Sequence, residues 1–139
     1  MFKPETPYLT TDGIIELFNN ENELQGIVLI SRKNPPLGLA LPGGFVDVGE
    51  CVEDALVREM KEETSLDVEV KKLLGVYSNP DRDPRFHTAS VVYICKAYGK
   101  PKAADDAKEV MVIPVKELKS KQNELVFDHA KIVEDFLLR

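Results

Sequence analysis

The chain has 139 residues, of which 43% are hydrophobic and 30% are charged, and its net charge at pH 7 is −6. This length predicts a single domain over residues 1–139 with its own buried core. The acidic balance disfavours long DNA or RNA as a partner, because proteins that bind a nucleic-acid backbone are normally basic. The sequence has no long apolar run and no signal peptide, so we expect a cytoplasmic protein that does not associate with membranes. Cys51 and Cys95 lack metal-ligand spacing and are expected to be reduced.

The N-terminal third of the chain predicts a β-hairpin followed by a glycine-rich turn. Residues 8–18 are rich in β-forming side chains, and Asp12-Gly13 suggests a bend, so we expect one broken strand or two short ones. Residues 24–32 predict the second strand. After a proline-containing loop, residues 39–41 predict a short strand that leads into a turn at Pro42-Gly43-Gly44, where the backbone can approach a ligand closely.

The rest of the chain alternates between predicted helices and strands. The first helix is expected from about residue 49 or 50 to about residue 64. Further strands are predicted at 67–78, 88–98 and 110–114, and further helices at 116–120 and 128–138. The segment 88–98 is the best candidate for a central strand. This order of elements predicts an α/β fold in which helices cover both faces of a mixed sheet.

The first predicted helix has an unusual acidic face. Glu59, Glu62 and Glu63 are spaced i, i+3 and i+4, so they project from one side of the helix. The same side carries the apolar residues Val52, Ala55, Leu56 and Leu66. One interpretation is a solvated face with ion pairs such as Arg58 with Glu62. The alternative is a cation site, because like charges on a packing face need a positive partner, and oxygen-only ligands suit Mg²⁺ or Mn²⁺ together with a substrate phosphate.

These residues belong to a longer pattern. Gly44, five residues, Glu50, seven residues and then residues 58–66 (REMKEETSL) resemble the Nudix box, G-x5-E-x7-R-E-U-x-E-E-x-G-U, in which U is aliphatic. The sequence differs from the box at Ser65, where the family has a glycine that ends the helix in a left-handed conformation. A serine in that conformation costs about 1 kcal/mol. The resemblance implies a Nudix-type α/β/α sandwich with a central mixed β-sheet.

The resemblance also implies a reaction and the residues that perform it. Nudix enzymes cleave a nucleoside diphosphate linked to another group, by attack of a metal-activated water on phosphorus. By matching position, the implied ligands of Mg²⁺, or of Mn²⁺, are Glu59, Glu62, Glu63 and the Gly43 carbonyl. Arg58 is implied to orient Glu59, and Glu50 is implied to bond Arg58 or an outer-shell water.

The sequence leaves the general base open. Glu59 and Glu63 are candidates within the box, but many relatives take the base from a loop beyond it. The acids of the corresponding segment are Asp105, Asp106 and Glu109, of which we rank Glu109 first. The alternative is that these three residues are solvated loop charges.

A second segment bears on the substrate. Residues 79–87 (NPDRDPRFH) place Arg82 and Arg85 in a proline-stiffened loop suited to phosphate or carboxylate recognition, unless the loop is a salt-bridged surface turn. The segment resembles the DPxRDPRxH motif of the ADP-ribose pyrophosphatase branch, except at Phe86, where relatives usually have a small residue. Pro80 and the run Phe127-Asp128-His129 are also typical of this branch.

We therefore expect hydrolysis of ADP-ribose to AMP and ribose 5-phosphate with Mg²⁺. Arg32 is a further candidate for contact with the distal phosphate or ribose, and Tyr8 and Phe127 are candidates for base stacking, although aromatic residues more often pack in a core. The alternatives are hydrolysis of an oxidised nucleoside triphosphate or of a dinucleoside polyphosphate, and a non-catalytic ADP-ribose sensor. The intact acidic residues, and the lack of room for a DNA-binding extension, disfavour the sensor. The branch also implies a homodimer in which the segment around Tyr8 reaches the partner.

Overall fold

A mixed β-sheet forms the middle layer of the protein. The computed structural model describes residues 1–104 and 107–139, and within this part of the chain the sheet has seven strands. They are β1 (Tyr8–Phe18), β2 (Leu24–Arg32), β3 (Leu39–Ala40), β4 (Gly43–Phe45), β5 (Glu69–Tyr77), β6 (Thr88–Tyr98) and β7 (Ala107–Ile113). Their order is β3-β2-β1-β6-β5, with β4 paired to β1 and β7 paired to β2. β1 and β6 run parallel along their whole length, whereas the other pairs are antiparallel.

Helices cover both faces of this sheet. They are α1 (Val52–Thr64), α2 (Val115–Leu118) and α3 (His129–Leu138), with a 3₁₀ helix at Lys119–Glu124. Successive residues of a strand point to opposite faces. Ile14 of β1 accordingly packs in the core cluster that contains α2 and α3, whereas Ile15 packs in the cluster that contains α1. The predicted α/β/α sandwich is therefore confirmed. No helix in the described residues is long and apolar enough to cross a membrane.

The glycine pair forms a strand where the sequence predicts a turn. Gly43 and Gly44 lie in β4, in register with Asp12 and Thr11 of β1. A side chain at Gly43 would overlap the Thr11 carbonyl oxygen and the Asp12 backbone, and a side chain at Gly44 would overlap the carboxylate of Glu59 in α1. The glycines therefore allow close contact between β4 and its neighbours rather than a reversal of the chain. The same pairing keeps β1 continuous through Asp12, where a break is predicted.

Other boundaries differ slightly from the predictions. α1 begins at Val52 rather than near residue 49 or 50, because Gly49 has a φ of 89°, which is not helical. β7 begins at Ala107, before the predicted start at residue 110. The helix predicted at 116–120 is a short α-helix that continues into the 3₁₀ helix. The strand at 88–98 is confirmed as an interior strand, since it lies between β1 and β5.

Ser65 ends α1 in the left-handed conformation that the family pattern assigns to glycine. Its φ is 65° and its ψ is 11°, and its backbone N–H donates to the Lys61 carbonyl oxygen. The Ser65 hydroxyl also donates to the carbonyl oxygen of Lys102 at 3.0 Å, while the Lys102 N–H donates to the Thr64 carbonyl oxygen at 2.8 Å. These two bonds tie the end of α1 to the segment before β7 and offset part of the backbone strain at Ser65.

We predict that Ser65→Gly changes the free energy of unfolding by less than about 0.5 kcal/mol, because relief of the strain at positive φ offsets the loss of the hydroxyl bond to Lys102. The control Ser65→Ala keeps the strain and loses the same bond, so we expect it to lower the free energy of unfolding by about 0.5–1 kcal/mol. Urea denaturation of the three proteins measures both changes. Equal destabilisation by glycine and by alanine would show that the hydroxyl, not the backbone, dominates at this position.

We predict that Gly43→Ala destabilises the protein by about 1–3 kcal/mol, because the new methyl group meets the backbone of the interior strand β1. Gly44→Ala is the matched control. Its methyl group meets the end of the Glu59 side chain, which can rotate, so we expect a smaller loss. Thermal unfolding compares the two variants. A larger loss for Gly44→Ala would mean that Glu59 is held more rigidly than the β1 backbone.

Candidate active site

Arg58 of α1 connects the acidic residues to one another. Its Nε and Nη2 donate to the two carboxylate oxygens of Glu50 at 2.8 and 2.9 Å, and its Nη1 donates to Glu59 at 2.9 Å. Nη1 also lies 3.3 Å from Glu62, and Nη2 donates to the carbonyl oxygen of Phe45 at 3.1 Å. The bond from Arg58 lowers the pKa of Glu50 to about 2 and, in turn, raises the pKa of Arg58. One guanidinium therefore links the loop before α1, the helix itself and β4.

Glu59 and Glu63 line a cavity of about 350 Å³. Glu63 is buried, and its Oε1 accepts a hydrogen bond from the Gly43 N–H at 2.7 Å. Glu59 packs against Gly44, and only 14% of its side chain is exposed. Burial raises the pKa of Glu59, although the bond from Arg58 acts in the opposite direction. A cation in the cavity would therefore stabilise the charged form of this carboxylate.

Glu62 is placed differently from the prediction that the three acids of α1 share the packing face. Its side chain is 44% exposed, it pairs with Arg58 at i, i+4, and it is not among the described residues that line the cavity. The helix geometry explains the difference. Around the helix axis, Glu63 lies about 40° to one side of Glu59, and Glu62 lies on the opposite side of Glu59. Glu62 and Glu63 are therefore about 100° apart. The Arg58–Glu62 ion pair of the alternative interpretation is thus present, and among the three acids only Glu62 is as exposed as that interpretation requires.

The oxygen donors suit a hard divalent cation, yet they do not form a ready metal site. Within residues 1–104 and 107–139, no three His, Cys, Asp or Glu side chains lie close enough together to hold a metal ion. Arg58 bonds Glu59 and Glu62 instead. Glu59, Glu63 and the backbone of Gly43 remain the residues that could hold Mg²⁺ or Mn²⁺, because they bring oxygen donors together in one cavity.

Basic residues line the same cavity. The guanidinium carbon of Arg32 lies 4.9 Å from the centroid of the Phe127 ring, and that of Arg85 lies 5.3 Å from it. Arg85 donates from Nη2 and Nε to Asp83 at 2.8 and 3.0 Å, and Arg32 donates from Nε to the Pro36 carbonyl oxygen at 2.9 Å. Phe127, with a φ of 58°, thus brings two predicted substrate-binding arginines together on one aromatic ring.

Arg82 also lines the cavity, but its donors have partners within the fold. It is 7% exposed and donates to both carboxylate oxygens of Asp128, at 2.9 and 2.7 Å, and to the Thr88 hydroxyl at 2.6 Å. These bonds tie the loop at 79–87 to β6 and to the residue before α3. Arg82 therefore forms a salt bridge that supports the fold, in agreement with the salt-bridged interpretation of this loop. Contact between Arg82 and a substrate stays a prediction.

Tyr8 lies beside the cavity rather than in its described lining. It is 58% exposed, and its ring centroid lies 4.9 Å from that of Phe86 and 6.0 Å from that of Phe45, which does line the cavity. Phe86, where the ADP-ribose pyrophosphatase motif has a small residue, completes this exposed aromatic cluster. Base stacking by Tyr8 stays a prediction.

The segment proposed to supply the general base is only partly described. Glu109 is exposed on β7, opposite Ser31 of β2, and it is not among the described residues that line the cavity. Asp105 and Asp106 lie outside the described residues. Glu59 and Glu63 are thus the base candidates that the structure places in the cavity.

Two residues of the cavity are not among the site residues predicted from the sequence, although His129 belongs to the run Phe127-Asp128-His129. Asp12 of β1 and His129 of α3 both line the cavity, and both are buried. Asp12 accepts a short hydrogen bond from the Ser90 hydroxyl. The Leu41 N–H donates to Nδ1 of His129 at 2.9 Å. The signal for Asp12 was an acid inside a strongly apolar strand, which was interpreted instead as a bend.

Burial shifts both of these groups away from their ordinary protonation. Desolvation raises the pKa of Asp12 to about 6, although the Ser90 bond and the charge of Arg82 oppose the rise. Desolvation also lowers the pKa of His129 to about 3, and Arg82 adds to this effect. At neutral pH the cavity therefore contains a neutral imidazole beside an ionised carboxylate.

The chain matches the model of the NUDIX domain over residues 7–136. It is 51% identical over 134 residues to an ADP-ribose pyrophosphatase from Methanocaldococcus jannaschii, and the match covers 94% of this chain and 73% of that protein.

Two solved structures are similar over almost the whole chain. One is the NUDIX domain of Shewanella oneidensis NrtR complexed with ADP ribose, with a TM-score of 0.80 and 26% identity over 99% of this chain and 93% of that one. The other is a bifunctional NMN adenylyltransferase/ADP ribose pyrophosphatase from Francisella tularensis complexed with AMP and a Mn ion, with a TM-score of 0.82 and 29% identity. This chain aligns over 99% of its own length with 42% of the Francisella protein. The family match and the relative at 51% identity together show that the protein belongs to the NUDIX family.

Proposed function

We propose that the protein hydrolyses the diphosphate bond of ADP-ribose to give AMP and ribose 5-phosphate, with Mg²⁺ or Mn²⁺ as cofactor. The observation that carries this proposal is a single cavity that combines the box carboxylates Glu59 and Glu63 with the guanidiniums of Arg32 and Arg85. The relative from M. jannaschii and the ADP-ribose complex of the Shewanella domain support the choice of substrate.

The acidic residues account for binding of the cation. Glu59 and Glu63 supply carboxylate oxygens, and the Gly43 backbone holds Glu63 in place through its N–H. When bound, a divalent cation supplies charge neutralisation for the diphosphate and lowers the pKa of water that it contacts. Glu62, which pairs with Arg58 outside the described lining, joins the ligands in this proposal by rotation of an exposed side chain.

Arg58 acts as a positioning residue. Its guanidinium spans Glu50 and Glu59, so the Glu50 carboxylate fixes the direction in which Arg58 holds Glu59. When Glu59 turns from Arg58 to the cation, the bidentate contact between Arg58 and Glu50 keeps the guanidinium in place. The orientation of the helix relative to β4 is then preserved during binding, since Arg58 also holds the Phe45 carbonyl.

The basic residues account for recognition of the anionic substrate. Arg32 and Arg85 offer guanidinium groups that suit phosphate oxygens in geometry and charge. Both groups rest on Phe127, which reduces the conformational freedom that each side chain loses when a substrate binds. Proton removal from the attacking water is assigned to Glu59 or Glu63, because the structure places these acids in the cavity.

Three further expectations remain proposals of the same kind. We propose that residues 1–139 act as one domain, that the enzyme works in the cytoplasm, and that it is a homodimer. The exposed aromatic cluster beside the cavity supports the last of these, and it consists of Tyr8, Phe45 and Phe86.

We predict that ADP-ribose is the preferred member of a substrate panel that also contains 8-oxo-dGTP and diadenosine tetraphosphate. The expected kcat/KM for ADP-ribose exceeds the others by about 10-fold or more, because two guanidiniums and a hydroxyl-rich substrate match the cavity. Release of AMP and phosphate is measured with Mg²⁺, with Mn²⁺ and with EDTA. Faster turnover of 8-oxo-dGTP by orders of magnitude would replace the proposed substrate, and full activity in EDTA would remove the metal.

We predict that Glu59→Gln lowers kcat for ADP-ribose by about 100-fold or more and weakens Mg²⁺ binding, while ADP-ribose binding changes little. The matched control is Glu53→Gln, an exposed residue of the same helix that bonds Tyr93. Steady-state kinetics and calorimetry provide the two measurements. Unchanged kcat in Glu59→Gln would contradict the assignment. Tight ADP-ribose binding without turnover in the wild type would indicate a sensor instead of an enzyme.

A further inference from the structure

We propose that Asp12 and His129 form a donor–acceptor pair on the floor of the cavity that binds a ribose hydroxyl of the substrate. This inference rests on the proposed function and assigns a specificity role to residues outside the Nudix box. The pair joins β1 to α3, and both side chains line the cavity that contains Glu59 and Arg85.

The acceptor is one oxygen of the Asp12 carboxylate. The Ser90 hydroxyl donates to Oδ2, whereas Oδ1 accepts no hydrogen bond from any described residue. No buried side-chain oxygen or nitrogen in the described part of the chain lacks a partner, so Oδ1 must keep access to the cavity. The Asp12 side chain as a whole is 10% exposed. This acid is therefore held rigidly by Ser90 and presents an available lone pair to a ligand.

The donor is Nε2 of His129. Because the Leu41 N–H donates to Nδ1, the proton of the neutral imidazole is on Nε2. Nε2 lies 3.8 Å from Oδ2 of Asp12, which is too long for a hydrogen bond between them. His129 is 2% exposed and makes no other side-chain hydrogen bond with the described residues. A donor and an acceptor that both line the cavity thus lie side by side without bonding each other.

A hydroxyl group satisfies both at once. Its oxygen accepts from Nε2–H of His129, and its own hydrogen donates to the Asp12 carboxylate. A phosphate oxygen accepts only, and its negative charge would be repelled by the carboxylate. The floor of the cavity therefore favours a sugar over a further phosphate. Occupation of the floor by the distal ribose of ADP-ribose would select against nucleoside triphosphates, which have no sugar beyond their phosphates.

The test is a cycle of variants and substrate analogues, measured by calorimetry in EDTA so that no turnover interferes. The ligands are ADP-ribose, an analogue that lacks a hydroxyl on the adenosine ribose, and analogues that lack one hydroxyl on the distal ribose. The proteins are the wild type, Asp12→Asn and the control Asp67→Asn. Asp67 follows the C-terminus of α1, and its carboxylate is exposed. Asparagine keeps the shape of Asp12 but replaces its carboxylate with a neutral amide, whose oxygen is a weaker acceptor.

The expected result is that loss of one particular hydroxyl weakens binding to the wild type and to Asp67→Asn by about 10- to 100-fold. In Asp12→Asn the loss of affinity caused by removing that hydroxyl should be at least about 3-fold smaller than in the wild type, since a neutral amide oxygen is a weaker acceptor than a carboxylate. The analogue that shows this coupling identifies which ribose occupies the floor. Asp12→Asn should also reduce the ratio of kcat/KM for ADP-ribose to that for dGTP.

Additive losses in the cycle would overturn the inference and leave the proposed function intact. If Asp12→Asn does not fold, the wild type and the analogues decide alone, because binding that is insensitive to every ribose hydroxyl excludes a hydroxyl site. Absence both of ADP-ribose binding in EDTA and of its turnover with Mg²⁺ or Mn²⁺ would overturn the proposed function and this inference together.

Discussion

The guanidinium of Arg58 is the constraint on which the acidic site depends. Glu50, Glu59 and Glu62 would repel one another if they were left alone on adjoining surfaces, and Glu59 is largely buried as well. Arg58 balances this charge and, through the Phe45 carbonyl, fixes the separation between helix and strand. A lysine has no planar fork of donors and cannot hold two carboxylates and a carbonyl in this way. The same contacts keep Glu59 and Glu62 paired with the arginine instead of grouped around one point.

β1 organises the remainder of the cavity. It pairs with β2, β4 and β6, so its residues reach the glycine pair, the loop arginines and α3 from one strand. Asp12 lies where these contacts meet, opposite Gly43 and beside Ser90. Since this strand is interior, its backbone is fixed on both sides, and the carboxylate has little freedom. Rigid placement of this kind lowers the entropy lost when a ligand is ordered against it.

Much of the architecture follows from local sequence patterns. Apolar runs of β-forming residues predict the long strands, and the 3.6-residue periodicity of α1 predicts the helix beneath the acids. The Nudix pattern predicts roles for Glu59 and Arg58, because the pattern depends on spacing within a single helix. The conformation of Gly43 and Gly44 does not follow from the local sequence, since glycine permits both a turn and a close strand pairing. Pairing with β1, which is distant in sequence, gives the strand.

The less predictable parts of the site depend on contacts between distant segments. Whether Arg82 contacts a ligand or supports the fold depends on Asp128, which is far away in sequence and sits before α3. The exposure of Glu62 follows from the rotation of α1 about its axis, which an apolar pattern fixes only to within a few tens of degrees. The floor of the cavity forms where β1, β6 and α3 meet, and no short sequence motif predicts that these three elements come together.

The burial of His129 has a consequence for how the enzyme responds to acidification. Because this imidazole stays neutral well below the usual range of histidine, the positive charge of the cavity comes from guanidiniums, whose protonation does not change in living cells. Acidification through about pH 6 would therefore change the charge of the cavity at Asp12, which loses its negative charge, and not at His129.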